Sequence, residues 1–297
     1  MEIDIKTIVG TYAQITLFLL MLSLGLKEGV ENLTLLWRQP WLLIRCLIAS
    51  FILVPLAAIA IDLLLPLDAE VRLGIGAMAI CPGAPLLYRK LSTLNANPAL
   101  AGSFQVTTSL FAIVMVPTLI VLIDVFYLDN NVTPVGVLLI GRQIATIQFI
   151  PILLGLGIRQ WLPNWGNNVL NPLEKISLFL LLGLLVIVLI MTIPQIVQIG
   201  VVTIAAIILF VAAMIAIGHY MGGRDPETRI SIALANSTRN AGLALVLVAL
   251  NINIQENLAA LATIAAIALL AALVGGIYVN IYRKSLPPKV DTDPSSG

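Results

Sequence analysis

The chain has 297 residues, 60% of them hydrophobic and 10% charged, with a formal net charge of +1. A mean hydropathy of +1.04 excludes an ordinary soluble globule, and the near-zero charge excludes a broad surface for nucleic acid. The composition reads as an all-α polytopic membrane protein: one transmembrane unit over residues 1–284, then a disordered cytoplasmic tail at 285–297.

Apolar runs long enough to span a bilayer occur near 8–26, 40–65, 71–95, 98–127, 132–158, 172–193, 198–221, 226–250 and 256–282, which predicts nine helices. The acidic start Met1–Ile5 lacks the features of a removable leader. Basic residues fall on every second connection: Lys27 and Arg38, then Arg89 and Lys90, then Arg159, then Arg224 and Arg229, and finally Arg283, Lys284 and Lys289. This alternation predicts an N-terminus outside and a C-terminus in the cytoplasm of a plasma membrane, with Lys6 and Arg72 as exceptions. Trp37, Trp41, Trp161 and Trp165 gather at the cytoplasmic interface, where indoles anchor helices. Cys46 and Cys81 lie in apolar runs and form neither a disulfide framework nor a metal-ligand pattern.

Two spans are interrupted. The third carries Cys81-Pro82-Gly83-Ala84-Pro85, and the eighth carries Asn236-Ser237-Thr238-Arg239-Asn240. Proline withholds a backbone donor, while serine, threonine and asparagine offer competing local bonds, so both places are expected to unwind. Irregular backbone at this depth is tolerated only beside protein or a water-filled cavity. The two breaks are five spans apart, an odd offset, so repeats over about 8–127 and 172–282 would have opposite topology. Paired broken helices in inverted repeats point to a transporter site. Two unrelated kinks are the alternative.

Every acidic residue lies in a tail, a connection or near the end of a span, whereas Arg239 and Arg142 fall near mid-membrane. Arg239 is about 20 Å along a helix from the charged boundary at Arg224-Asp225-Pro226, at about 1.5 Å per residue. A deep cation without a deep acid needs a compensator. One reading supplies a mobile organic anion, with Arg239, Asn240, Asn236, Ser237, Thr238, Thr108, Arg89 and Lys90 as its contacts. The other has Arg239 bonding unwound carbonyls and locking the crossing helices. For Arg142, next to Gln143, solvation through a cavity or contact with the surrounding helices outweighs substrate contact. Gln105-Val106-Thr107-Thr108-Ser109 on the fourth helix offers hydroxyls either to a ligand or to its own helix. His219, where the seventh helix leaves the membrane, reads as interfacial, with a proton relay as the alternative.

Taken in order, these motifs resemble the bile acid:sodium symporter (BASS) family, within the wider group that also holds arsenite efflux carriers. Cys81-Pro82-Gly83 is similar to the family's Cys-Pro-Gly-Gly, Val106-Thr107-Thr108 to its Val-Thr-Thr, and Arg239-Asn240-Ala241-Gly242-Leu243-Ala244 to its Gln-Asn-Ser-Gly-Leu-Ala. Pro55 and Pro151-Ile152-Leu153-Leu154-Gly155 extend the likeness to nearly the whole chain. The resemblance implies a divergent bacterial-type member with a panel of helices 1, 5 and 6 and a core of helices 2–4 and 7–9. It also implies a small or amphipathic organic anion as substrate and alternating access about a crossover formed by Cys81, Pro82, Gly83 and Pro85 with the eighth span.

The departures bear on the coupling ion. Where sodium-coupled members carry Ser-Asn this chain has Leu86-Leu87-Tyr88-Arg89-Lys90; a family glutamate falls at Ala235, and family glutamines fall at Ser50 and Arg239. Ser103, Thr107 and Asn240, with Ser50 beside them, are the remaining cation-ligand candidates. A guanidinium would repel a monovalent ion by about 4 kcal/mol for unit charges about 4 Å apart at an effective dielectric of about 20. The expected protein is therefore a secondary organic-anion carrier with sodium or a proton as coupling ion, no other cofactor and no metal. Membrane lipid surrounds it, nucleic acid is not a partner, and it is a monomer or homodimer. A sodium-independent exchanger and a membrane sensor on a transporter fold are the alternatives; an intramembrane enzyme lacks a nucleophile–base pair or a metal cluster.

Overall fold

The computed structural model describes residues 5–83, 97–127, 137–197, 200–251 and 258–282. Among them the regular structure is entirely helical, and eight helices are long and apolar enough to cross a membrane, so the chain is an all-α integral membrane protein. The first span is Ile5–Lys27, the second Pro40–Leu64, the fourth Pro98–Tyr127 and the fifth Leu138–Trp161. The sixth is Pro163–Val197, the seventh Val201–Met221 and the ninth Leu258–Tyr282. The eighth consists of two half-helices, Pro226–Ser237 and Ala241–Asn251. Of the third, Ala69–Ile80 is helical and Cys81–Gly83 is not; residues 84–96 lie outside the described residues, so the ninth expected crossing is described only in its first half.

One boundary and two internal turns differ from the sequence expectation for a physical reason. The sixth helix begins at Pro163, not near 172, because proline at the first helical position gives up no bond there. It then runs straight through Pro172. The second and fifth spans each contain a π-helical turn, Ala49–Leu53 and Ala145–Phe149, and each turn ends directly before the dipeptide Val54-Pro55 or Ile150-Pro151. Without an N–H, Pro55 and Pro151 cannot serve the carbonyls four residues back, and local widening lets the backbone find other donors.

Small residues let the spans approach closely, as membrane helix contacts require. A Cβ at Gly25 would come 2.2 Å from the Ile152 carbonyl oxygen, and one at Gly155 2.4 Å from that of Leu22, so the first and fifth spans touch backbone to backbone. Gly218 plays the same part for the seventh and eighth, its absent Cβ falling 2.7 Å from Cα of Ala233. The sixth span is only 22% buried and faces lipid, whereas the eighth is 89% buried. The interrupted eighth span is therefore the centre of the molecule, packed by the first, fourth, seventh and ninth. Its start is fixed by Asp225, whose carboxylate accepts from the Thr228 N–H at 2.8 Å just before Pro226.

Charged groups outside this centre find local partners. Arg72 pairs with Asp62 at 2.9 Å, which accounts for a basic residue on the otherwise acidic side. Lys27 pairs with Glu174 at 3.2 Å, Arg45 donates to the Tyr220 carbonyl at 2.9 Å, and Arg159 donates to the carbonyls of Leu26 and Lys27. Arg142 is exposed. The Nδ1 atom of His219 shares a 2.7 Å bond with the Tyr278 hydroxyl inside a cluster with Tyr220 and Tyr282.

Candidate functional site

The two breaks meet. The Asn240 N–H donates to the Cys81 carbonyl at 2.9 Å, joining the end of one interrupted span to the gap in the other. Gly83 stands just beyond Cys81 with φ +74, a conformation that favours glycine, so the Cys81-Pro82-Gly83 turn is available to few other sequences. The Asn240 side-chain oxygen accepts from the Leu243 N–H at 3.0 Å and starts the second half-helix, Ala241–Asn251.

Arg239 sits at the C-terminal end of the half-helix Ala69–Ile80, where last-turn carbonyls lack intrahelical donors and carry the negative end of the helix dipole. Its Nε donates to Met78 O at 3.0 Å, and its Nη2 to Ser50 O at 3.1 Å and to Ala79 O. Ser50 belongs to the π-helical turn of the second span, so that widened turn delivers an acceptor to the guanidinium. Arg239 is 3% exposed, and no carboxylate among the described residues forms an ion pair with it. Of the two readings of this arginine, the geometry favours the one that locks the crossing helices. Its Nη1 alone has no partner among the described residues.

On the other side of Asn240 runs a chain of amides and a hydroxyl. Because the Asn240 oxygen is committed to Leu243, its Nδ2 faces the Gln148 side-chain oxygen, 3.4 Å away, as donor. The Gln148 oxygen also accepts from the Ser109 hydroxyl at 3.1 Å, and Ser109, its one proton used, accepts from Gln105 Nε2 at 3.2 Å. The orientation of both glutamines follows from this sequence of donors. It leaves the Gln148 amide nitrogen and the Gln105 amide oxygen without partners among the described residues, although the two side chains are 0% and 3% exposed. An unmatched buried amide atom costs about 1–3 kcal/mol. The Gln105 oxygen and the Thr108 hydroxyl both look onto the bare backbone of Gly83, where a Cβ would stand 2.6 Å from each.

The remaining sequence candidates divide into four groups. Asn236 is engaged at both ends, donating to Met214 O at 2.9 Å and accepting from Ser50 Oγ at 3.4 Å. Ser237, Thr238 and Thr108 return their hydroxyls to their own helices, at Leu234 O, Leu234 O and Phe104 O. Ser103 and Thr107 accept from the Leu36 N–H at 2.7 Å and the Trp37 indole N–H at 2.9 Å, donors of the 3-10 turn Leu35–Arg38 in the first connection. Pro85, Arg89 and Lys90 lie outside the described residues. Sequence reasoning missed Gln148 and the docking of Leu36 and Trp37. An amide among apolar neighbours three residues before Pro151 was the available signal for the first.

Comparison with known proteins bears on what such a crossover does. A family model described as the Sodium Bile acid symporter family matches residues 14–199. A protein of Bacillus subtilis (strain 168) described as the uncharacterized sodium-dependent transporter YocS is 28% identical over 171 residues, 58% of this chain and 52% of that protein. The probable sodium/metabolite cotransporter BASS2, chloroplastic, of Oryza sativa subsp. japonica is 26% identical over 163 residues, 54% of this chain and 37% of that protein. The matched region thus spans about half or less of each relative's length.

Proposed function

Since the chain belongs to the sodium bile acid symporter family, we propose that it is a secondary transporter of small or amphipathic organic anions, working by alternating access in the plasma membrane with its N-terminus outside. The observation that carries this reading is the Asn240-to-Cys81 backbone bond, which ties together two interrupted spans. Ends of broken helices present unpaired N–H and C=O groups at mid-membrane, the groups transporters use to hold solutes and ions. Helices 1, 5 and 6 would form the panel and helices 2–4 and 7–9 the core. Gln148, on the fifth helix, bonds Ser109 and Asn240 on the fourth and eighth, so this polar contact would break and re-form as panel and core move.

The coupling ion follows from how the crossover is filled. Arg239 already donates to the three carbonyls that a bound cation would seek. Ser103, Thr107 and Ser50 likewise have protein partners. In this reading the guanidinium is a built-in positive charge and transport runs as exchange or with a proton. Sodium coupling is the second reading, favoured by the printed descriptions of the two relatives. Uptake of a carboxylate panel into liposomes holding the purified chain tests both: accumulation of at least one carboxylate without a sodium gradient is expected. Absence of flux for every carboxylate overturns the transporter reading, and uptake that collapses without sodium overturns the sodium-free one.

A further inference from the structure

The seventh span ends beside two arginines that come from different helices. Arg45 of the second span donates from Nη2 to the Tyr220 carbonyl at 2.9 Å, and its Nη1 lies 3.3 Å from where a Cβ of Gly223 would stand. Arg229 of the eighth span donates from Nε and Nη2 to the Gly223 carbonyl at 2.9 and 2.7 Å. Two guanidiniums therefore border one glycine, itself in a left-handed turn with φ +92. Neither forms an ion pair with a carboxylate among the described residues, and the next acid along the chain, Asp225, accepts from the Thr228 N–H. The carbonyl end of a helix carries roughly half a unit of negative charge, too little to balance two fixed positive ones. Both side chains are half-buried, so each keeps N–H donors at the surface.

We propose that Arg45 and Arg229 together hold the phosphate of an anionic lipid in the leaflet at this end of the molecule, the cytoplasmic one in the orientation given above. Planar guanidinium forks match phosphate oxygens, and two of them around one point supply the charge that a zwitterionic headgroup would leave unbalanced. The surroundings of the pair fit a lipid and not a free phosphate. Trp41, one turn before Arg45 on the same helix face, is 72% exposed, and Tyr220 is 74% exposed; rings of this kind sit at headgroup level. Deeper along the second span, Ile48 and Ile52 are exposed on the two turns that follow Arg45 and offer an acyl chain an apolar track. A lipid bound there joins the second, seventh and eighth spans at one point, whichever solute the protein carries.

The test uses the full purified chain in nonionic detergent and three probes, read as Kd by calorimetry: short-chain phosphatidylglycerol, phosphatidylcholine of the same chain length, and glycerol 3-phosphate, which has the phosphate without acyl chains. An arginine near an anionic lipid is worth about fivefold in binding, so phosphatidylglycerol should bind at least about tenfold tighter than phosphatidylcholine. Glycerol 3-phosphate, without apolar chains to bury, should bind at least about tenfold more weakly than phosphatidylglycerol. Arg45→Gln and Arg229→Gln should each weaken phosphatidylglycerol about fivefold. Arg38→Gln, which removes an exposed charge at the same end of the molecule, should change it by less than about twofold. Equal Kd values for the two lipids overturn the proposal, and so does a loss in Arg38→Gln as large as in the other two variants, which would show diffuse attraction. Glycerol 3-phosphate binding as tightly as phosphatidylglycerol overturns it in favour of a soluble phosphate. Where a glutamine variant does not fold, Arg45→Lys and Arg229→Lys keep the charge and lose the fork; each should weaken phosphatidylglycerol at least about twofold, and unchanged affinity in both overturns the proposal.

Discussion

The two sides of Asn240 solve opposite problems with the same material. Toward the third span, a full positive charge meets three backbone carbonyls, two from a helix end and one from a π-helical turn. Toward the fifth span, neutral amides end in a donor and an acceptor that nothing among the described residues matches. Both sides keep a remainder: Arg239 Nη1, like the two amide atoms, has no partner among the described residues.

The largest effect that could break this contrast is expected from Arg239→Ala. It strands the carbonyls of Ala79 and Ser50 away from water, at about 1–3 kcal/mol each, and leaves Met78 O with the Cys81 N–H alone, so a marked fall in Tm or loss of monodisperse protein is expected, with Arg239→Lys in between. A stable Arg239→Ala protein that has lost only solute binding would reverse the roles assigned to the two sides. Asn240→Ala should be milder, about 0.5–2 kcal/mol for a lost helix start, but it also removes the donor that orients Gln148. Denaturation and carboxylate uptake measured together should show the transport loss exceeding the stability loss. Ser237→Ala should move Tm least, within about 0.5 kcal/mol, because its hydroxyl bonds only its own helix, and carboxylate uptake should stay unchanged. A roughly tenfold change in that uptake would move the solute site onto the eighth span.

Much of the architecture was legible because a bilayer imposes a length and a polarity on each crossing. The apolar runs gave the spans, and Pro82, Gly83 and the polar stretch Asn236–Asn240 marked both interruptions where the helices stop, at Ile80 and Ser237. The site was only partly legible. Arg239 could be singled out by its depth, but what it bonds depends on two carbonyls about 160 residues away in sequence, which no local pattern encodes. Gln148 looked like one polar residue among many, since its meaning comes from Ser109 and Asn240, brought to it by two other spans. Ser103 and Thr107 could be picked as oxygens; that a turn from the first connection would cap them could not, because nothing in Leu35–Arg38 specifies where it docks.

That cap carries an optical consequence. The indole of Trp37 reaches a hydroxyl nine residues, about 14 Å, along the fourth helix and stacks on Phe111, while Trp41, Trp161 and Trp165 are each more than half exposed. Any motion that lifts Leu35–Arg38 from the fourth helix trades this hydrogen-bonded ring contact for a new environment, and the fluorescence of Trp37 will record it. The molecule thus contains its own gauge of whether the first connection is seated on the fourth helix, readable without a label.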